Sequence, residues 1–178
     1  PIQQVVMVIT FIFTLLIPLQ YAVLVGVAIA IVLFVVDQSN KITIKEWIYE
    51  KGQLPIEAEA PEVLEPNKIT ILVPFGSLFF AAVSSFDDQL PSVTDDTRNS
   101  VVIINLRNKT SLGSTFLEVL ERYSEELRAH QSKLMLAGMS EESISVLEET
   151  DHISIYGRDN IFPETDRVGE SLKQAHHA

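Results

Sequence analysis

Residues 1–36 read PIQQVVMVITFIFTLLIPLQYAVLVGVAIAIVLFVV, and from Pro1 to Val36 there is no charged side chain. All 13 basic and 24 acidic residues, and with them the net charge of −11, lie after Val36. An uncharged apolar run longer than about 18 residues reads as membrane-spanning. The chain therefore divides into an apolar membrane part and an acidic, water-facing part.

One straight helix over this run would be about 54 Å long, against a hydrocarbon core of about 30 Å. Pro18 stands in its middle, and proline both lacks the N–H and clashes with the preceding turn. The expectation is two short spans, Ile2–Ile17 and Leu19–Val36, turning at Pro18, each about 24–27 Å long. A cleaved signal peptide is a poor match: no basic stretch precedes the run, the run is too long, and no small-residue cleavage site follows. The missing initiator Met points to a fragment of a longer protein. Ala22, Gly26 and Ala30 recur every fourth residue, a small-residue face of the kind that lets membrane helices approach closely. That face implies further helices as partners, alongside membrane lipid.

The chain contains no cysteine, so disulfides and thiolate metal sites are excluded. Lys41, Lys45 and Lys51 follow the second span closely, which favours a cytoplasmic position for what comes next. Net acidity argues against nucleic acid as a partner.

Ser39 to Tyr49 reads as a short amphipathic helix with Ile42, Trp47 and Ile48 as its apolar members, Trp47 near the headgroups. Residues 51–67, rich in Glu and Pro, read as a linker. The organisation expected is two transmembrane helices over 1–36, a juxtamembrane segment and linker over 37–67, and a cytoplasmic domain over 68–178.

Within that domain, Ile69, Ile71 and Val73 alternate with Thr70 and Leu72, a strand pattern. Phe75-Gly76-Ser77 makes a turn, and Ala81–Leu90 suits a helix with Phe86 and Leu90 inward. Pro91–Asn99 is loop-like. Val101–Leu106 is a branched apolar run of the kind found in strands buried on both faces. Phe116, Leu117, Leu120, Tyr123 and Leu127 recur at three- and four-residue steps, the clearest helix of the chain. Thr115 with Glu118 predicts a capping box at its start. Lys133–Ala137 reads as a strand. Ser140, followed by Glu141 and Glu142, opens another helix, with Ile144, Leu147 and Val146 as its inward candidates. Ile153–Tyr156 reads as a last short strand, and Val168, Leu172 and Ala175 share one face of a terminal helix. Strands alternating with helices imply a mixed, mainly parallel sheet covered by helices, an α/β domain.

No catalytic constellation stands out, so no enzyme activity, cofactor or metal is expected. His176 and His177 lie at the extreme C-terminus, and His130 falls where a cation suits a helix end. Asp87-Asp88 and Asp95-Asp96 are solvated pairs. Gly113 and Gly138 fit no phosphate-binding glycine motif. The segment Asn108–Thr115 leads from a buried strand into the longest helix. Its hydroxyls Ser114 and Thr115 serve as helix caps or as phosphorylation sites that switch a docking surface.

The order of parts resembles the STAS domain, the fold shared by anti-sigma-factor antagonists and the cytoplasmic ends of SulP anion transporters. The resemblance is carried by a strand, the segment Gly76–Ala82 (GSLFFAA) and the strand Val101–Leu106 before a hydroxyl-rich turn. Leu134–Met139, the helix after it, and Asn160-Ile161-Phe162-Pro163 are similar to the late part of the SulP version. Thr10–Val27 is similar to that family's final two membrane helices. The chain departs at the turn before the long helix: the family's Asp position is Gly113 and its Gly position is Phe116. In the soluble antagonists the phosphorylated serine corresponds to Ser114, and loss of the acid weakens its recognition by a kinase. The resemblance implies the C-terminal part of a SulP-type permease for sulfate, bicarbonate or another anion. Its partners would be the transporter's core helices and, in the intact protein, a second copy as a homodimer. The alternative is a membrane-tethered STAS module that binds a partner protein or nucleotide and transports nothing.

Overall fold

The computed structural model describes residues 2–16, 19–39, 42–49, 54–76, 78, 82–109 and 112–178, without the side chains of 13–16, 19, 22 and 37–39. The chain forms two compact units, Pro1–Lys41 and Ile42–Ala178.

The first unit holds helix α1 (Ile2–Leu16) and helix α2 (Leu19–Ser39). The expected turn at Pro18 and the side chain of Ala22 lie outside the described residues. Gly26 sits against α1: a Cβ there would lie 3.4 Å from Thr10 Oγ1. Thr10 itself donates to Val6 O at 2.8 Å, which keeps its hydroxyl satisfied within the helix. Most of the described apolar side chains face outward, among them Met7, Phe11, Leu24 and Phe34. Among the described residues, no helix is long and apolar enough to cross a membrane.

The second unit is built on one six-stranded sheet in the order β2-β1-β3-β4-β5-β6. Its strands are β1 (Thr43–Ile48), β2 (Ile56–Glu59), β3 (Ile69–Phe75), β4 (Val101–Asn105), β5 (Lys133–Met139) and β6 (Ile161–Pro163). β1 pairs antiparallel with β2 and β3, and the pairs from β3 to β6 are parallel. The connecting helices are α3 (Val83–Asp87), α4 (Ser114–Ala129), α5 (Glu141–Glu149) and α6 (Ile153–Tyr156); α7 (Glu170–His177) closes the chain.

Side chains alternate across a strand, and here each face has its own core. On one face Leu72, Val102, Ile104, Leu134 and Leu136 meet Phe86, Phe116, Leu120 and Leu147 of the helices. On the other, Ile71, Ile103, Met135 and Ala137 meet Leu172 and Ala175 of α7. This two-sided burial is the reason β4 is apolar at nearly every position. Each large apolar side chain so buried contributes about 1.5–3 kcal/mol relative to an exposed one.

Four readings of the sequence are corrected. Residues 43–48 form a strand, not an amphipathic helix, because Ile42 and Ile44 are buried at alternate positions and β1 zips onto β3 from Thr43–Phe75 to Glu46–Leu72. The segment taken as linker carries β2 and the fully buried Leu64, whose N–H donates to Ser92 O at 3.1 Å. Ile153–Tyr156 is a helical turn, anchored by buried Tyr156 donating to Leu117 O at 3.2 Å. Val168 is 83% exposed and precedes α7, so only Leu172 and Ala175 of the proposed face pack inward. The cap at Ser140 forms as read, its hydroxyl accepting from Ser143 N at 3.2 Å; Val146, by contrast, is exposed.

A donor-lined cavity at the strand ends

β3 and β4 run parallel and end side by side, and open α/β sheets bind ligands in the crevice beyond the carboxyl ends of such strands. Here that end carries a cavity of about 350 Å³, lined by Trp47, Phe75, Asn105, Arg107, Lys109 and Val168 among others. Trp47 comes from β1 and Phe75 from the last position of β3. Asn105 ends β4, and Arg107 and Lys109 follow in the loop that leads to α4.

The polar side chains are fixed by backbone groups. Asn105 Oδ1 accepts from Arg107 N at 3.1 Å, folding the chain back just past the strand. Gly138, in left-handed conformation at φ +73°, packs on this turn, since a Cβ there would lie 3.0 Å from both Arg107 N and Asn105 Oδ1. Arg107 donates to Thr165 O at 2.9 Å and pairs with Glu164 at 3.4 Å. The Lys109 ammonium donates to Gly76 O, and burial pushes its pKa below the ordinary lysine value. Among the described residues no carboxylate lines the cavity. Asn105 is 9% exposed, and its Nδ2 has no hydrogen-bond partner among the described residues. No fully buried side-chain nitrogen or oxygen there lacks a partner, so this Nδ2 reaches open space.

The residues singled out by sequence stand elsewhere. Ser114 and Thr115 are exposed in the first turn of α4, whose N-cap is Gly113 with no side-chain cap. The capping box read at Thr115 and Glu118 does not form: the helix starts at Ser114, which places Thr115 inside the first turn. Thr110 and Ser111 of the same turn lie outside the described residues, as do Ser77 and 79–81 of the Gly76–Ala82 segment. Gly26 faces Thr10, while Ala30 is exposed. His130 ends α4 with Nε2 3.7 Å from Asp95, and His152 lies 3.7 Å from Glu121. His176 and His177 lie in the last turn of α7. Among the described residues no group of three acidic or histidine side chains is placed to hold a metal ion.

The sequence reading passed over Asn105 and Arg107, took Lys109 only as part of the Asn108–Thr115 segment valued for its hydroxyls, and assigned Trp47 to the membrane surface. The one available signal was two basic residues directly after a buried strand in a strongly acidic chain.

Residues 60–168 match the STAS domain family. No curated protein matches the chain. Among solved structures, the murine solute carrier 26 family member A9 anion transporter, in its inward-facing state, is 15% identical with a TM-score of 0.65, over 97% of this chain and 28% of that one. A second structure of SLC26A9 is 15% identical with a TM-score of 0.64, over 97% and 30%. A sulfate transporter family protein from Wolinella succinogenes is 19% identical with a TM-score of 0.46, over 64% and 89%. At 15% identity the first two likenesses are of fold, and the chain spans under a third of those two transporters' length.

Proposed function

This chain belongs to the STAS domain family, and on that premise we propose that it is the C-terminal part of a SulP-type secondary anion transporter. The observation that carries the reading is the order of its two units: a pair of helices free of charge to Val36, then a unit from Ile42 onward that matches the STAS family over residues 60–168. In this reading α1 and α2 are the last membrane helices, their outward apolar side chains in contact with lipid and with the transporter's core helices. The STAS unit lies on the cytoplasmic side, where Lys41, Lys45 and Lys51 favour it. It serves regulation, folding or assembly, including pairing of two copies. The anion site itself belongs to broken helices near the bilayer midplane, in a part of the transporter other than this chain. Sulfate, bicarbonate and related inorganic or organic anions are the substrate class. Ser114 and Thr115 are exposed at the start of α4 and accessible to a kinase, with Gly113 in place of the usual acid.

A specific observation favours a second reading. Gly26 is already used inside the hairpin, against Thr10, so that position of the small-residue face needs no further helix. A tethered STAS module that binds a partner protein or nucleotide, without transport, would suffice for such a hairpin. The test is to read the message upstream of the Pro1 codon and assay its full product in vesicles for sulfate and bicarbonate uptake. A frame continuing into further charge-free helices, with uptake, is expected. A start codon directly before Pro1 and no flux would replace the transporter with the tethered module.

A further inference from the structure

We infer that the cavity beyond the ends of β3 and β4 binds a small organic anion, one carboxylate or phosphate group carried on a flat apolar body. The inference concerns the STAS unit alone and stands whether or not the whole protein transports.

Charge selects the sign of the ligand. In a chain of net −11 this cavity gathers Arg107 and Lys109 and, among the described residues, no carboxylate in its lining. Glu164 compensates Arg107 from outside the cavity at 3.4 Å, whereas the Lys109 ammonium donates to a carbonyl oxygen, that of Gly76. One N–H spent on that carbonyl leaves the ammonium two donors. Asn105 adds a third kind of donor: a side chain nine-tenths buried whose Nδ2 has no acceptor among the described residues. That nitrogen reaches the open space of the cavity, so its N–H groups are free to donate to an acceptor that a ligand brings. Lysine ammonium and asparagine amide thus line the same cavity and offer it donors for a negative oxygen.

The rest of the lining selects the body. Trp47, Phe75 and Val168 offer apolar surface, and Phe75 and Val168 remain substantially exposed. A volume of about 350 Å³ falls at the small end of ligand cavities. It suits an acid of one or two rings and is too small for a dinucleotide. A bare inorganic ion would leave the apolar walls wet.

Trp47 is the sole tryptophan of the chain, so its emission reports on this cavity directly. The full chain in detergent micelles is titrated with benzoate, with its neutral isostere benzamide, and with inorganic phosphate. Benzoate is expected to change Trp47 emission saturably, phosphate more weakly, and benzamide not at all. Lys109→Gln should weaken benzoate binding by about tenfold or more, the effect of losing a charge-assisted hydrogen bond. Val168→Asp, at a site 83% exposed where folding is not at stake, should weaken it by repulsion and leave the thermal midpoint unchanged. Equal responses to benzoate and benzamide, no saturable response, or unchanged affinity in both variants would overturn the inference. Phosphate binding as tightly as benzoate would overturn its apolar half.

Discussion

Gly138→Ala tests whether the turn beyond β4 is held by close backbone approach. Gly138 lies in β5 at φ +73°, where the pairing with β6 shifts register between Ala137 and Met139. A left-handed conformation costs a non-glycine residue about 1–2 kcal/mol. An added Cβ would also lie 3.0 Å from Arg107 N, 3.0 Å from Asn105 Oδ1 and 3.1 Å from Arg107 Cβ. Two of these atoms are bonded to each other at 3.1 Å and have little room to give, so overpacking adds about 1–3 kcal/mol. The expected destabilisation is about 2–5 kcal/mol. Gly169→Ala is the matched control: its φ is +83°, but no atom lies within 4 Å of the added Cβ. That change should cost only the conformational part, about 1–2 kcal/mol. Urea unfolding followed by Trp47 emission reads both, because this tryptophan sits in β1 and reports on the sheet. Equal costs for the two variants would refute the close-approach reasoning.

Further outcomes follow from the caps, the buried phenols and the hairpin. Ser140→Ala should cost about 1 kcal/mol, since its hydroxyl accepts from Ser143 N, while Ser114→Ala, which removes no cap, should stay within about 0.5 kcal/mol by the same urea titration. Burial raises the pKa of Tyr123, which donates to Pro91 O, and of Tyr156, above the ordinary 10.0. The folded state therefore holds these protons longer than the unfolded one: stability is complete below that value and falls by up to about 1.4 kcal/mol per pH unit per tyrosine above it. Tyr123→Phe should flatten that alkaline slope, and an unchanged slope between about pH 10 and 11 would count against the linkage. Gly26→Ala should fit, because its Cβ would lie 3.4 Å from Thr10 Oγ1, whereas Gly26→Leu should part the helices. Spin labels at Phe11 and Val23, introduced into a chain free of cysteine, should show a broadened distance distribution for Leu alone.

The sheet's centre was legible because its cause is local. Val101–Asn105 is buried on both faces, so burial is written into consecutive residues. The misread elements are those whose cause is distant. Ile42, Trp47 and Ile48 read as the apolar members of a short helix, yet Glu46 between them is buried beside Lys68, 3.4 Å away and just before β3. Ile153–Tyr156 alternates like a strand, but what holds it is Tyr156 on Leu117 O, and Gly157 at φ +81° ends it.

The cavity is harder still to read, since its parts come from β1, β3, β4 and the stretch after β6. Arg107 and Lys109 alone describe an ordinary solvated loop, the usual meaning of two cations after a strand. They become a site only because β3 lies beside β4: that neighbourhood brings Gly76 O to the Lys109 ammonium and Phe75 to the cavity wall. β5 then brings Gly138 against Asn105. The glycine that fitted no motif is therefore informative after all. Its missing side chain lets the Asn105–Arg107 turn close, and a closed turn uses the amide's oxygen while leaving its nitrogen turned toward the cavity.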